Sequence, residues 1–332
     1  MSSIAIIGAG SWGTAVSNLL ANAGHEVVLW GRDPVLVDAV NSTHQNPRYL
    51  KDVKLSPNLL ATSDIDAAVA GREVVVMAVP SQTMRTIAAA LSGRLHNRQI
   101  IVSLTKGLEI GTLMRMSQVI GAVLPGPTVA ALSGPNHAEE VSLNIPCASV
   151  MAAENPVIGA KLQELFMTST FRVYTNRDLV GVEMAAATKN VIAIAVGISD
   201  GLGYGDNAKA ALMTRGLAEM TRLGVVMGAK AMTYAGLAGI GDLIATCTSR
   251  HSRNRAVGER LARGQMVDSA QAELGMVAEG VKTVEAVCAL ARSRNLEMPI
   301  SRAVYNVIYG GKDPRDCVEE LMTRGPAEEE LG

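Results

Sequence analysis

Aromatic side chains make up only 3% of this 332-residue chain. Its cores must therefore be built from Ala, Val, Leu, Ile and Met, which favours closely packed helices. Cysteine is sparse too. Cys147, Cys247, Cys288 and Cys317 are too far apart for a zinc site or a C-x-x-C redox pair, and too few for a disulfide scaffold. A reducing cytoplasm is the compartment that fits. With a formal net charge of -1, there is no general attraction to nucleic acid or anionic membrane, and phosphate recognition must be local. No stretch reads as the roughly 20 apolar residues of a membrane span. The longest suggestive run, Val191 to Ser199, lies between Lys189 and Asp200 and is expected as a buried helix. No basic leader is expected, since Ile4 to Ile7 passes straight into a glycine turn, and the five histidines are scattered without a metal-ligand pattern. No metal is expected.

What is present begins with that turn. The apolar run Ile4-Ala5-Ile6-Ile7 leads into Gly8-Ala9-Gly10-Ser11-Trp12-Gly13, and a helix-like run follows from Thr14 to Ala23. In this setting G-x-G-x-x-G is a dinucleotide-binding fingerprint. Gly8 makes the tight turn, Gly10 lets the backbone approach a pyrophosphate, and Gly13 allows helix-on-strand packing. The helix N-terminus then offers unpaired N–H groups and its positive dipole end to the anion.

Further β-rich runs follow at Glu26 to Trp30, Glu73 to Val79, Gln99 to Leu104, Thr128 to Leu132, Cys147 to Ala152 and Thr170 to Tyr174, separated by helix-length segments. Such alternation predicts a doubly wound, parallel α/β sheet of the Rossmann type over residues 1–178. Beyond about Arg177 long Ala-, Leu-, Met- and Val-rich segments dominate, which predicts an all-helical domain over 179–332 whose Glu-rich tail after Pro326 frays. The second strand ends in Trp30-Gly31-Arg32-Asp33-Pro34. An arginine there suits the 2′-phosphate of NADPH, whereas an acidic residue would suit the ribose hydroxyls of NADH. Asp33 before Pro34 reads as a helix N-cap, so NADPH is favoured, the alternative being that Arg32 is a solvated surface charge.

Lys189 is the only formal charge between Met184 and Ser199. A lysine on an apolar helix either snorkels to water or works with a lowered pKa as a proton-transfer group, and the run itself leaves both readings open. A second constellation follows at Gly241-Asp242-Leu243 and Ser252-Arg253-Asn254. Asp242 could pair with a buried lysine, and Arg253 with its polar neighbours suits a small phosphate. The bland alternative is a basic helix start on the surface.

Taken in order, Gly8 to Ala15, Val79-Pro80-Ser81, Thr105-Lys106-Gly107-Leu108-Glu109, Ser133-Gly134-Pro135, Lys189-Asn190, Gly205-Asp206-Asn207-Ala208-Lys209, Gly241-Asp242-Leu243 and Ser252-Arg253-Asn254 resemble the bacterial NAD(P)-dependent glycerol-3-phosphate dehydrogenases nearly end to end. The resemblance implies a Rossmann domain followed by a helical domain of the 6-phosphogluconate dehydrogenase type. It also implies reversible reduction of dihydroxyacetone phosphate to sn-glycerol 3-phosphate for glycerophospholipid synthesis, with NADPH or NADH as cofactor and a cytoplasmic homodimer as the assembly. Carried over residue by residue, it makes Lys189 the proton acceptor in oxidation, with Lys106, Asp242 and Asn190 as its catalytic company. Lys106, Gly134, Asn136, Lys189, Asp242, Ser252, Arg253 and Asn254 would meet the substrate. Gly8, Gly10, Ser11, Trp12, Gly13, Arg32, Lys106, Ala138, Arg253, Val277 and Glu279 would meet the cofactor. Asn136-His137 departs from the family, which often reads Ser or Thr and then an aromatic there, so the contact at 136 is the least secured.

Two rivals remain at this level. Other dehydrogenases with a Rossmann half and a helical half act on hydroxyacyl-CoA, 6-phosphogluconate or 3-hydroxyisobutyrate, and the phosphate-suited Ser252-Arg253-Asn254 with Thr105-Lys106-Gly107 speaks against them. A non-catalytic NADPH-binding protein would keep the glycine turn but have no use for Lys189 and Asp242.

Overall fold

A computed structural model describes residues 1–325; the tail expected to fray lies outside the described residues. The first compact unit, residues 1–105 with 116–179, is organised on eight strands: β1 (Ser3–Ile7), β2 (Glu26–Trp30), β3 (Leu60–Thr62), β4 (Val74–Met77), β5 (Ile100–Ser103), β6 (Thr128–Ser133), β7 (Cys147–Ala152) and β8 (Phe171–Asn176). They form one sheet in the order β3-β2-β1-β4-β5-β6-β7-β8. Every pairing is parallel except β6 with β7, where Leu132 faces Met151. The central strands β4 and β5 are apolar at nearly every position and buried throughout, as expected of parallel strands covered on both faces. Val and Ile fill the pleat, and the core runs from Ile4 and Ile6 through Val74, Val76 and Val102 to Phe166 and Phe171.

Two features of this sheet differ from the sequence-based expectation. The edge strand β3 has only three residues, none β-branched before Thr62, and its place comes from pairing Val28 with Leu60 rather than from any apolar run. The reversal at β7 follows a connection whose only helix is the five-residue Ala138–Ser142. The next connection carries the longer helix Pro156–Phe166, and β8 is again parallel to β7.

The second unit comprises residues 106–115 and 180 onward, and among its described residues the long segments are helices. Its core helix, Leu179–Gly201, is longer than the apolar run read from sequence. By length and composition it could cross a membrane, yet 94% of its apolar window is buried inside the protein. Around it stand Asp206–Val226, Asp242–Thr248, Arg253–Ala262, Glu279–Ser293 and Pro299–Tyr309. Met, Leu, Val and Ala fill the space between them, with Tyr234 the one large aromatic in the cluster of buried residues.

Residues 106–115 were expected in the first domain, and their side chains explain why they cluster with the second. Leu108 is fully buried in the helical core. Leu108 and Arg115 face each other across an antiparallel bridge, and the Arg115 guanidinium pairs with Glu183 on the core helix. This ten-residue excursion is therefore held by the helical unit's own core. Leu108→Ala should cost about 3 kcal/mol of unfolding free energy, the usual cost of a cavity at a buried leucine. A denaturant titration showing less than about 1 kcal/mol would mean that Leu108 is not a core residue of that unit.

Candidate active site

In the first unit Gly8 and Gly13 have the turn and packing roles their spacing suggests. Gly8 has φ 120°, and a Cβ on it would strike the Ala78 carbonyl; one on Gly13 would strike the Gly8 carbonyl, so β1, β4 and the first helix meet without room for a side chain. At Gly10 the space is open, with nothing within 4 Å of a built Cβ. Gly10 is also the N-cap of helix Ser11–Asn22, which has no side-chain cap. That helix start presents backbone N–H groups, and beside them the Trp12 indole Nε1 is buried with no hydrogen-bond partner. Open space, uncapped N–H groups and a buried orphan donor fit the pyrophosphate end of a dinucleotide. Arg32, at the end of β2, is exposed. Asp33 is the N-cap foreseen for helix Pro34–Thr43, accepting from the Val35 N–H at 3.1 Å.

Gly134, Asn136 and Ala138 lie in the same unit, just beyond β6. A Cβ on Gly134 would come within 2.9 Å of Ser149 Cα, and the Asn136 amide donates to Ser149 Oγ at 2.8 Å. Asparagine at 136 thus helps lock β7 against the end of β6. Ala138 is buried and opens the short helix that follows.

In the second unit a single carboxylate organises the remaining candidates. Asp242 is 2% exposed and Lys189 4%. The Lys189 ammonium donates to Asp242 Oδ1 and to Thr246 Oγ1. The Thr246 hydroxyl donates to the same carboxylate oxygen at 3.2 Å, while the Lys106 ammonium donates to Oδ2 at 2.8 Å. Asp242 and Thr246 stand four apart on helix Asp242–Thr248, so they share a face. Two ammonium groups and one carboxylate leave the cluster with one net positive charge in a buried setting. Burial pushes Lys189 down to about 8, and the Lys106 ammonium acts in the same direction, while Asp242 opposes both. For Asp242 burial alone would raise the carboxyl, but the Lys106 and Lys189 ammonium groups outweigh it and hold it below its usual range. Releasing one proton from Lys189 leaves a neutral pair behind. The neighbouring Cys247 thiol is pushed up to about 12 by burial and stays protonated and inert.

Asn190 does not reach the Lys189 ammonium; the hydroxyl in that place belongs to Thr246, which sequence reasoning passed over although its i+4 spacing from Asp242 was visible. The Asn190 amide donates instead to the carbonyls of Lys106 and Ala186 at 3.4 and 3.3 Å. Its carbonyl accepts from the Asn254 amide at 2.9 Å, and Asn254 in turn accepts from the Gly280 N–H at 2.9 Å. This chain of amides ties the Lys106 backbone to the helix starts at Arg253 and Glu279. Ser252 is the N-cap of helix Arg253–Ala262, with Arg255 N–H as its donor, and Arg253 beside it is exposed. That helix lies backbone-to-backbone on the core helix. A Cβ on Gly197 would strike the Arg255 carbonyl, and one on Gly258 the Ile194 carbonyl. Val277 is 44% exposed and Glu279 opens the helix that follows.

A Rossmann-type sheet with an uncapped glycine turn, joined in one chain to a helical unit holding a buried lysine near neutrality, defines a nicotinamide-dependent dehydrogenase of the two-unit class. The family described as NAD-dependent glycerol-3-phosphate dehydrogenase matches with its N-terminal part over residues 3–158 and its C-terminal part over residues 178–319. The chain belongs to this family. It is 51% identical over 328 residues to the glycerol-3-phosphate dehydrogenase (NAD(P)+) of Nitratidesulfovibrio vulgaris strain DP4, covering 98% of this chain and 99% of that protein. It is 49% identical to that of Thermobifida fusca, over the whole of both. Among solved structures, the glycerol-3-phosphate dehydrogenase of Coxiella burnetii superposes with a TM-score of 0.94 at 39% identity, over 97% of this chain and 99% of that one.

The depressed Lys189 fixes a sign for stability. An unfolded lysine keeps its proton up to about pH 10.5, whereas the folded one gives it up near 8. Between those values the unfolded state binds more protons, so the native state gains stability as pH rises. The unfolding free energy of the wild type minus that of Lys189→Met should therefore be flat below about pH 8 and climb towards pH 10. A difference that stays level across denaturant titrations from pH 6 to 10 would refute the desolvated ammonium.

Proposed function

We propose that this chain reduces dihydroxyacetone phosphate to sn-glycerol 3-phosphate reversibly, and that Lys189 carries the proton. The observation that carries the reading is the Lys189 ammonium, buried against Asp242 and Thr246 and pushed down to about 8. A group at that value gives and takes a proton near neutral pH without a large driving force in either direction. The cofactor, NADPH or NADH, supplies the hydride that reaches the substrate's carbonyl carbon. As negative charge grows on the carbonyl oxygen, the positively charged cluster of Lys189 and Lys106 stabilises it, and Lys189 then delivers the proton. In the oxidation direction neutral Lys189 removes the hydroxyl proton. Asp242 and Thr246 hold two of the Lys189 donor positions, which leaves the third to be aimed at substrate oxygen.

The phosphate of the substrate falls to the start of helix Arg253–Ala262. The Ser252 side chain caps only the Arg255 N–H, and the Asn254 side chain is engaged with Asn190 and Gly280. Recognition would therefore use the exposed Arg253 guanidinium and backbone N–H groups of the helix start. Binding energy at the phosphate orients the distant carbonyl, so part of its worth appears in the transition state. No metal is invoked, because the lysine pair provides the electrophilic charge. We place the protein in the cytoplasm, as its four cysteines are all free thiols. We also assign it a homodimer, which rests on the family resemblance, and light scattering that shows only monomer would remove that part.

The direct experiment mixes purified protein with dihydroxyacetone phosphate and NADPH or NADH and follows cofactor oxidation. Reductive kcat/KM should fall above about pH 8, where Lys189 loses its proton, and oxidative kcat/KM should rise through the same range. Lys189→Ala should abolish turnover with cofactor binding retained, and near-normal kcat would sink the proton-transfer role. Arg253→Ala should lower kcat/KM for the phosphorylated substrate by roughly thirtyfold, about 2 kcal/mol. An unchanged value would remove Arg253 from the phosphate site.

A further inference from the structure

The segment Asn46–Leu50, which no sequence motif singled out, is clamped to the glycine turn. It closes as a tight turn, with the Leu50 N–H donating to the Asn46 carbonyl at 3.0 Å. Asn46 is fully buried. Its amide donates to the Ala9 carbonyl at 3.0 Å and to the Thr14 hydroxyl at 2.8 Å, and its side-chain oxygen accepts from the Tyr49 N–H at 2.9 Å. The Ser11 hydroxyl donates to the Tyr49 carbonyl at 2.9 Å. Residues 9, 11 and 14 thus hold the turn from beneath, and Leu50 buries itself in the sheet core.

Arg48 stands at the tip of this anchored turn. Its guanidinium carbon lies 5.2 Å from the centre of the Tyr49 ring, and its Nη1 is 3.7 Å from Asp33 Oδ2. The other Asp33 oxygen is occupied by the Val35 N–H. The residue at the end of β2 that would hold the ribose hydroxyls of NADH is therefore already engaged twice, as a helix cap and as a partner of Arg48. Arg32 is exposed beside it. Arg32, Asp33 and Arg48 together carry one net positive charge.

We infer that Arg48 is a second specificity-determining residue of the cofactor site, joining Arg32 in holding an adenosine 2′-phosphate, with Tyr49 beneath its guanidinium and Asp33 as the partner that the phosphate displaces. The inference rests on the assignment of NAD(P)H as cofactor and goes beyond it by naming what selects the phosphorylated form. Both Arg48 and Asp33 are substantially exposed, at 60% and 41% for the side chains, so their mutual attraction is weak. A dianionic phosphate offering two oxygens to a planar fork competes for Arg48 with ease. The rigid seat of the turn means that little ordering is needed when the phosphate arrives.

Binding can be read without turnover. Full-length protein is titrated calorimetrically with adenosine 2′,5′-bisphosphate and, separately, with ADP, which lacks the 2′-phosphate. Arg48→Gln should weaken the bisphosphate about tenfold and ADP less than about twofold. Arg32→Gln should behave alike, and Arg48→Lys should recover part of the loss. The NADPH to NADH ratio of kcat/KM should fall by the same factor in Arg48→Gln. Asp33→Asn keeps the capping oxygen and removes the competing charge, so the bisphosphate should tighten by about twofold to threefold. Equal weakening of both ligands by Arg48→Gln, or no weakening of either, would overturn the inference while leaving the cofactor assignment in place. Loss of ADP affinity in Asp33→Asn, with the bisphosphate unmoved, would make Asp33 a ribose ligand and overturn it too. Wild-type protein that binds neither ligand nor NADPH would bring down the cofactor assignment itself.

Discussion

The pairing of the Asp242 carboxylate with two lysines is the interaction on which the buried polar cluster of the helical unit depends. A buried charge is costly unless it is paired and hydrogen-bonded, and Asp242 meets that demand with two ammonium groups and the Thr246 hydroxyl. The pairing is deliberately incomplete in charge, because two cations face one anion. The excess falls on Lys189, the more deeply buried of the two lysines. Burial and the second ammonium together lower its proton affinity, and so the same arrangement that keeps Asp242 ionised makes Lys189 exchange its proton near neutral pH.

Such a cluster tolerates little displacement, and the surrounding helices are built accordingly. Glycines at 197 and 258 bring the core helix into backbone contact with helix Arg253–Ala262, so Lys189 and Arg253 belong to one stiff pair of elements. Gly280 makes a similar close approach to Asn190 and Asn254, and its N–H enters their amide chain. Because interiors are packed at crystal-like density, a methyl group at any of these positions would move the start of helix Arg253–Ala262 relative to Lys189. The proposed mechanism, which orients the substrate between the two, depends on that separation being fixed.

Much of this was legible in the residues, and the illegible parts share a cause. The glycine turn, seven of the eight strands and the helical second half follow from apolar periodicity and turn chemistry, which are local. The edge strand Leu60–Thr62 escaped because three residues carry no period, and the reversal of β7 because direction is set by the connection and its neighbours. In the site, Lys189, Lys106, Asp242 and Arg253 stood out as charges in apolar or basic surroundings. Thr246 did not, since a threonine on a helix is ordinary until a lysine 57 residues away is found beside it. Asn190 was read as a neighbour of Lys189 in space as well as in sequence. Successive helical side chains diverge by about 100°, and its amide points to Lys106 and Asn254 instead.

The sequence by itself determined the class of each half, the glycine turn and the family. Each of these rests on short motifs whose meaning is local or whose order along the chain is specific. Only the tertiary structure decided that residues 106–115 belong with the helices and that one carboxylate serves two lysines. It alone gave Lys189 a lowered proton affinity in place of a snorkelling stem and seated the turn that carries Arg48 against the glycine turn. Those outcomes depend on burial and on side chains brought together from distant positions. Desolvation and distance are properties of the folded chain, and no spacing in the sequence records them.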